Sequence, residues 1–123
     1  MVSGTKTILL VDDIELLLQL NTDVLTAVGY TVLSAENGDE ALCICREHPG
    51  TIDLLLTDVK MPGLNGRELA EQAMSIRPGL KVLFMSGAQD TTVAQIEAEK
   101  PNFLPKPFTP TALIARVRGL LGR

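Results

Sequence analysis

The chain has 123 residues, 46% of them hydrophobic and 21% charged, with a formal net charge of -4. That length suits a single domain spanning residues 1–123, and the apolar content can build a core without disulfide or metal staples. The acidic balance argues against direct nucleic-acid binding, and apolar runs such as Ile8 to Val11 or Leu16 to Leu18 fall far short of the roughly 20 residues needed to cross a bilayer.

Thr7 to Val11 is a β-rich apolar run. From Ile14 to Val28 apolar residues recur at 17, 20, 24, 25 and 28, the spacing of one helix face, and Gly29 supplies a stop. Tyr30 to Ala35 reads as the second strand. Asn37 followed by Glu40 is a helix-start signature, with Ala41, Leu42 and Cys45 as the buried stripe. Thr51 to Thr57 is the third strand. Asn65 and Glu68 repeat the start signal, and Leu69, Ala70, Ala73 and Met74 line a helix that Pro78 and Gly79 end. Leu80 to Met85 is the fourth strand, residues 91–99 read as a weakly patterned helix, and Asn102 to Leu104 is a short fifth strand. Thr109 and Pro110 open a last helix whose Leu113, Ile114, Val117, Leu120 and Leu121 face the core.

Five strands alternating with five helices imply right-handed crossovers and a parallel sheet covered on both faces, a doubly wound α/β sandwich. The continuous apolar stretches 8–11, 52–56 and 82–85 fit strands buried on both sides. Cys43 and Cys45 lie two apart on one helix and point to different sides, so they read as reduced thiols. With His48 they make a poor tetrahedral metal set. The N-terminus shows no apolar leader, and the expected location is cytoplasmic, without membrane contact. Arg116, Arg118 and Arg123 suit the end of the last helix, where cations meet the dipole.

In an open α/β sheet, ligands bind beyond the carboxyl ends of the strands. Asp12 and Asp13 follow the first strand here, Asp58 the third, Ser86 the fourth and Lys106 the fifth. Any one of these is an ordinary strand exit, but together they bring three carboxylates, a hydroxyl and an ammonium to one edge. Clustered carboxylates repel, and a hard divalent cation relieves that repulsion. Mg2+ keeps several waters and commonly bridges one or two carboxylates to a phosphate, while a lysine and a hydroxyl suit the phosphoryl oxygens. A carboxylate in such a pocket can itself be the nucleophile, giving an aspartyl-phosphate.

Four blocks in order, Val11-Asp12-Asp13, Leu56-Thr57-Asp58 through Met61-Pro62-Gly63 to Gly66, Met85-Ser86-Gly87-Ala88 and Leu104-Pro105-Lys106-Pro107-Phe108, make the chain resemble the CheY-like receiver domains of two-component signalling over essentially its whole length. The resemblance implies the strand order 2-1-3-4-5. It implies that Asp58 accepts phosphate from a histidine kinase or phosphotransfer protein. Asp13 and Asp58 would hold Mg2+ (or Mn2+) directly, Asp12 through water, and the backbone carbonyl of Lys60 would complete the protein ligands. Lys106 would contact the phosphoryl group, Ser86 would be the hydroxyl switch, and Phe103 would stand at the aromatic switch position without the hydroxyl of a tyrosine. A cis Lys106–Pro107 bond is implied as well. The signal would pass to the face made by the fourth helix, fifth strand and fifth helix, and residues 91–99 read either as a helix that moves or as a loosely specified surface helix.

The wording of the motifs, with the entry Gly4-Thr5-Lys6 into the first strand, is similar to receivers of hybrid sensor histidine kinases. Lys60 and Ala88, two residues after Asp58 and Ser86, stand where side chains tune the access of water, and their chemistry gives no clear lifetime. Three rival readings are a haloacid-dehalogenase-type phosphatase, a flavodoxin-like FMN binder and a degenerate receiver. The first wants a DxD motif after the first strand, where Asp12 and Asp13 are adjacent. The second wants a phosphate loop that those carboxylates would repel. The third conflicts with a complete set of pocket residues.

Overall fold

Residues 5–86 and 102–122 are described by the computed structural model. Its strands β1 (Thr7–Val11), β2 (Thr31–Ala35), β3 (Leu54–Asp58), β4 (Lys81–Ser86) and β5 (Phe103–Pro105) form one sheet in the order β2-β1-β3-β4-β5. All adjoining pairs are parallel. The helices are α1 (Glu15–Ala27), α2 (Gly38–Glu47), α3 (Gly66–Ile76) and a C-terminal helix, Pro110–Leu121. The helix expected over residues 91–99 lies outside the described residues. Among the described residues no helix is long and apolar enough to cross a membrane.

Strand side chains alternate between faces, and that alternation sorts the leucines into two cores. Ile8, Leu10, Leu54, Leu56, Leu83, Met85 and Leu104 face one side, where α1 contributes Leu18 and Leu25 and the C-terminal helix contributes Leu113, Val117 and Leu121. Leu9, Val11 and Leu55 face the other, against Ala41, Leu42 and Cys45 of α2 and Leu69, Ala70 and Ala73 of α3. Small residues on α2 and α3 let those helices lie close to the sheet. Burying each leucine stabilises the fold by about 1.5–3 kcal/mol.

Helix starts follow the capping signals. The Asn65 side chain accepts from the Glu68 amide at 2.9 Å while the Glu68 carboxylate accepts from the Asn65 amide at 3.1 Å, a complete capping box. At α2 the box is half formed: Asn37 accepts from the Glu40 amide at 2.7 Å, but Glu40 reaches the Glu36 amide instead. Thr109 caps the C-terminal helix through the Ala112 amide at 3.0 Å.

Some expectations shift. The inner face of α1 is Leu18, Asn21 and Leu25, whereas Leu20 and Val28 are exposed. Apolar residues surround that helix, so its sequence leaves the phase open and packing against the sheet decides it. Met74 is 42% exposed, because Ala70 and Ala73 already occupy the close approach of α3. Ile114 and Leu120 are half-buried. β3 starts at Leu54, not Thr51: the Asp53 carboxylate turns back to accept from the Thr7 amide at 2.8 Å before the ladder begins. β5 runs on through Pro105, paired with Ser86. Cys43 and Cys45 are free thiols, the first exposed and donating to the Glu47 carboxylate at 3.4 Å, the second buried.

At the end of the sheet opposite Asp58, the Arg77 guanidinium donates to the carbonyls of Cys45 (2.8 Å), Gly50 (2.8 Å) and His48 (2.6 Å), tying the exit of α3 to the exit of α2. Arg77→Ala should lower stability by about 3 kcal/mol in urea denaturation, and Arg77→Lys should recover a minor part, since an ammonium cannot reproduce the planar fork. A native-like midpoint in the alanine variant would show that the three carbonyls are as well served by water.

Candidate functional site

The site grows out of the side-chain columns. Leu10, Leu56 and Leu104 all face the core beneath α1 and the C-terminal helix. Two residues further along each strand direction stand Asp12, Asp58 and Lys106. The register aligns Leu10 with Leu56, which brings Asp12 level with Asp58; Met85 aligns Asp58 with Leu104, so Lys106 starts two residues beyond that level and reaches back to the carboxylates. Asp12 and Asp58 are thus aimed by the leucines two positions earlier, whereas Lys106 follows the end of β5.

The Lys106 ammonium lies 2.6 Å from Asp58 Oδ1 and 3.8 Å from Asp12 Oδ2. Carboxylate oxygens of Asp12, Asp13 and Asp58 lie within 4.8 Å of one another. Asp12 is wholly buried, Asp58 nearly so, and Asp13 exposed at the rim. Asp12 uses Oδ1 to accept from the Ile14 amide at 3.0 Å, which opens α1, and its Oδ2 has no hydrogen-bond partner among the described residues. Lys106 at 3.8 Å is too far to hydrogen-bond this buried oxygen, which leaves it open to a closer cation or water.

Burial pushes the Asp58 carboxyl up to about 7, and the adjacent Asp12 adds to the rise. Lys106 favours the ionised form but does not offset those two effects. The pocket without a cation therefore holds more negative charge than its lysine neutralises. The donor set, three hard carboxylate oxygens with one oxygen orphaned, fits a small divalent ion.

Ser86 ends β4 beside Pro105, the residue before Lys106. The Lys106–Pro107 bond is cis. Phe103 is buried, its ring 6.2 Å from that of Phe84, and its carbonyl accepts from Arg116. The Arg67 guanidinium stands 5.4 Å above the Phe84 ring, so an aromatic pair links the start of α3 to β5. Lys60 is exposed on the segment after β3. Gly87 and Ala88 lie outside the described residues.

Gly66 closes the second of the four motif blocks, and its position in the sequence alone assigns it no role. A Cβ there would fall 1.9 Å from the Asp58 carbonyl oxygen, so the first turn of α3 rests directly on the backbone of the pocket's central carboxylate. Thr57 also turns its hydroxyl onto that carbonyl, at 3.0 Å. A glycine opening a helix just after a strand end was the available signal for Gly66; nothing marked Thr57.

A family model described as the response regulator receiver domain matches residues 8–118. The chain is 37% identical over 121 residues to the sensor kinase CckA of Brucella abortus, covering 97% of this chain and 13% of that protein. It is 37% identical over 117 residues to the transcriptional regulatory protein CpxR of Klebsiella pneumoniae, covering 94% of this chain and 49% of that protein. It thus spans half or less of these curated relatives. The solved receiver domain of the hybrid histidine kinase CckA superposes with a TM-score of 0.79 at 37% identity, covering 94% of this chain and 98% of that one. Neither the haloacid-dehalogenase-type phosphatase nor the FMN binder gains support from these likenesses.

Proposed function

The chain belongs to the response regulator receiver family, and from that membership we propose that Asp58 is the residue that takes the phosphoryl group. The observation that carries this reading is the Lys106 ammonium 2.6 Å from Asp58 Oδ1, beside two further aspartates. Receiver domains bind Mg2+ through acidic residues and interact with histidine kinases or phosphotransfer proteins. In this chain Asp13 and Asp58 would hold the ion directly, Asp12 through water, with the Lys60 carbonyl as a further ligand. When bound, Mg2+ (or Mn2+) supplies charge neutralisation for the carboxylates and the incoming phosphoryl oxygens.

The residues' own work is positioning and charge. An Asp58 carboxylate oxygen attacks the phosphorus of a phosphohistidine. The new O–P bond forms as the P–N bond breaks, and the electron pair returns to the imidazole. Lys106 pairs with Asp58 beforehand and moves its charge to the phosphoryl oxygens as they arrive. The acyl phosphate adds about -1.5 to -2 charge at one point, which draws Ser86 inward and biases the face carrying β5 and the C-terminal helix. Phe103, already buried against Phe84, offers no hydroxyl to that switch.

We take residues 1–123 as one such domain and place it in a hybrid histidine kinase, in line with the motif wording and the CckA likeness. The alternative is a stand-alone receiver, and a native reading frame that encodes the domain alone, or joins it to a DNA-binding domain, would overturn that context. For the site, incubation with Mg2+ and acetyl phosphate should add one phosphoryl group, and chelation should prevent it. Borohydride reduction of the product should mark Asp58. Label on any other residue sinks the assignment.

A further inference from the structure

Segment 59–65, which joins β3 to α3, is closed at its base by the Gly66 amide donating to the Val59 carbonyl at 2.8 Å. Val59 itself donates to the Met85 carbonyl at 3.0 Å. Met61 is buried in the core under α2 and α3, and Leu64 packs against the same cluster. Gly63, with φ of 75°, turns the chain so that Leu64 can head back towards α2. Leu64 meets Gly38, the buried first residue of α2: a Cβ built on Gly38 would lie 2.7 Å from Leu64 Cδ2 and 2.8 Å from Leu64 Cβ.

The second distance matters more. A clash with Cδ2 can be relieved by turning the side chain. A clash with Cβ cannot, because Cβ is fixed to the backbone. An added methyl at Gly38 therefore moves either the main chain of segment 59–65 or the start of α2. The latter is held by the Asn37 cap and by the buried Ala41 and Leu42. The segment on the other side of this contact carries Lys60.

We propose that Gly38, outside the acidic pocket and on a different helix, is a positioning residue for metal binding and phosphorylation at Asp58: its bare Cα seats Leu64, and the seated Leu64 holds segment 59–65 at the height from which the Lys60 carbonyl serves the ion. This rests on the metal site proposed above. Native chain, Gly38→Ala and Leu64→Ala are each titrated with MgCl2 by calorimetry. Their backbone amide spectra are compared, and acyl-phosphate formation from acetyl phosphate is timed. Both variants should bind Mg2+ roughly ten-fold more weakly, the scale seen when groups that orient a metal ligand are removed. Amide signals of 59–65 should move in both, and phosphorylation should slow with the loss of metal affinity. If Gly38→Ala does not fold, Leu64→Ala decides, since it empties the seat without adding an atom. Native-like Mg2+ affinity in a folded variant, or shifts in Gly38→Ala confined to residues 36–42, overturns the inference. A native chain that takes neither Mg2+ nor phosphate overturns the metal-site reading instead.

Discussion

Asp58→Asn should abolish phosphoryl incorporation from a small phosphodonor and, at the same time, make the cation-free protein more stable above neutral pH. The first effect follows from losing the proposed nucleophile: an amide oxygen cannot form the acyl phosphate. The second follows from the pocket's electrostatics. The native carboxyl is raised from 3.8 to about 7 by burial and by Asp12. A carboxyl with a raised folded pKa binds its proton more tightly in the folded than in the unfolded state. Its contribution is therefore complete below about pH 4 and is lost as pH rises through about 7. Full conversion of that rise gives at most about 4 kcal/mol. Without Mg2+, the native melting temperature should fall between pH 5 and 8 relative to that of Asp58→Asn, and Mg2+ should close the gap by supplying the missing cation. Parallel pH profiles for the two proteins, with and without Mg2+, would refute this account of the pocket.

Gly66→Ala should be the most damaging small substitution outside the charged residues. Alanine at the first turn of a helix ordinarily helps by up to about 1 kcal/mol. Here the new methyl would stand 1.9 Å from the Asp58 carbonyl oxygen, 2.9 Å from its carbon and 3.0 Å from the Val59 Cα. All three atoms are backbone, so no rotamer gives way. Moving α3 back would break the Gly66–Val59 hydrogen bond, and moving Asp58 would carry its carboxyl away from Lys106. A loss of at least about 3 kcal/mol is expected, at the upper end for overfilled sites. Phosphorylation should drop about a hundred-fold, the cost of a displacement near 1 Å at a reacting group. Urea denaturation and timed acyl-phosphate formation measure both; a variant as stable and as active as the native chain would mean that α3 shifts freely.

Much of this architecture could be read from residue order. The strands announced themselves because parallel strands buried on both faces need unbroken apolar runs, as Ile8–Val11 and Leu54–Leu56 are. Asn65 and Glu68 fixed the start of α3 through chemistry local to four residues. The pocket was legible because strand exits in such a sheet converge, so Asp12, Asp58 and Lys106 could be brought together without distances. The phase of α1 was not legible: with Leu16, Leu17, Leu18 and Leu20 adjacent or nearly so, several faces are equally apolar, and only contact with the sheet selects Leu18 and Leu25. The parts played by Gly66 and Gly38 were also hidden. A glycine's spacing says that a backbone can come close there, but not which backbone does.

The columns that aim Asp12 and Asp58 make the whole device sensitive to counting. Removing one residue within Leu54–Thr57, or adding one, would flip the leucines of the central strand to the wrong helices and turn the terminal carboxyl towards the opposite layer. Length in this strand is therefore more tightly constrained than composition: replacing one of its three leucines by isoleucine or valine should leave phosphate uptake intact, whereas a single-codon deletion should end both the fold and the signal.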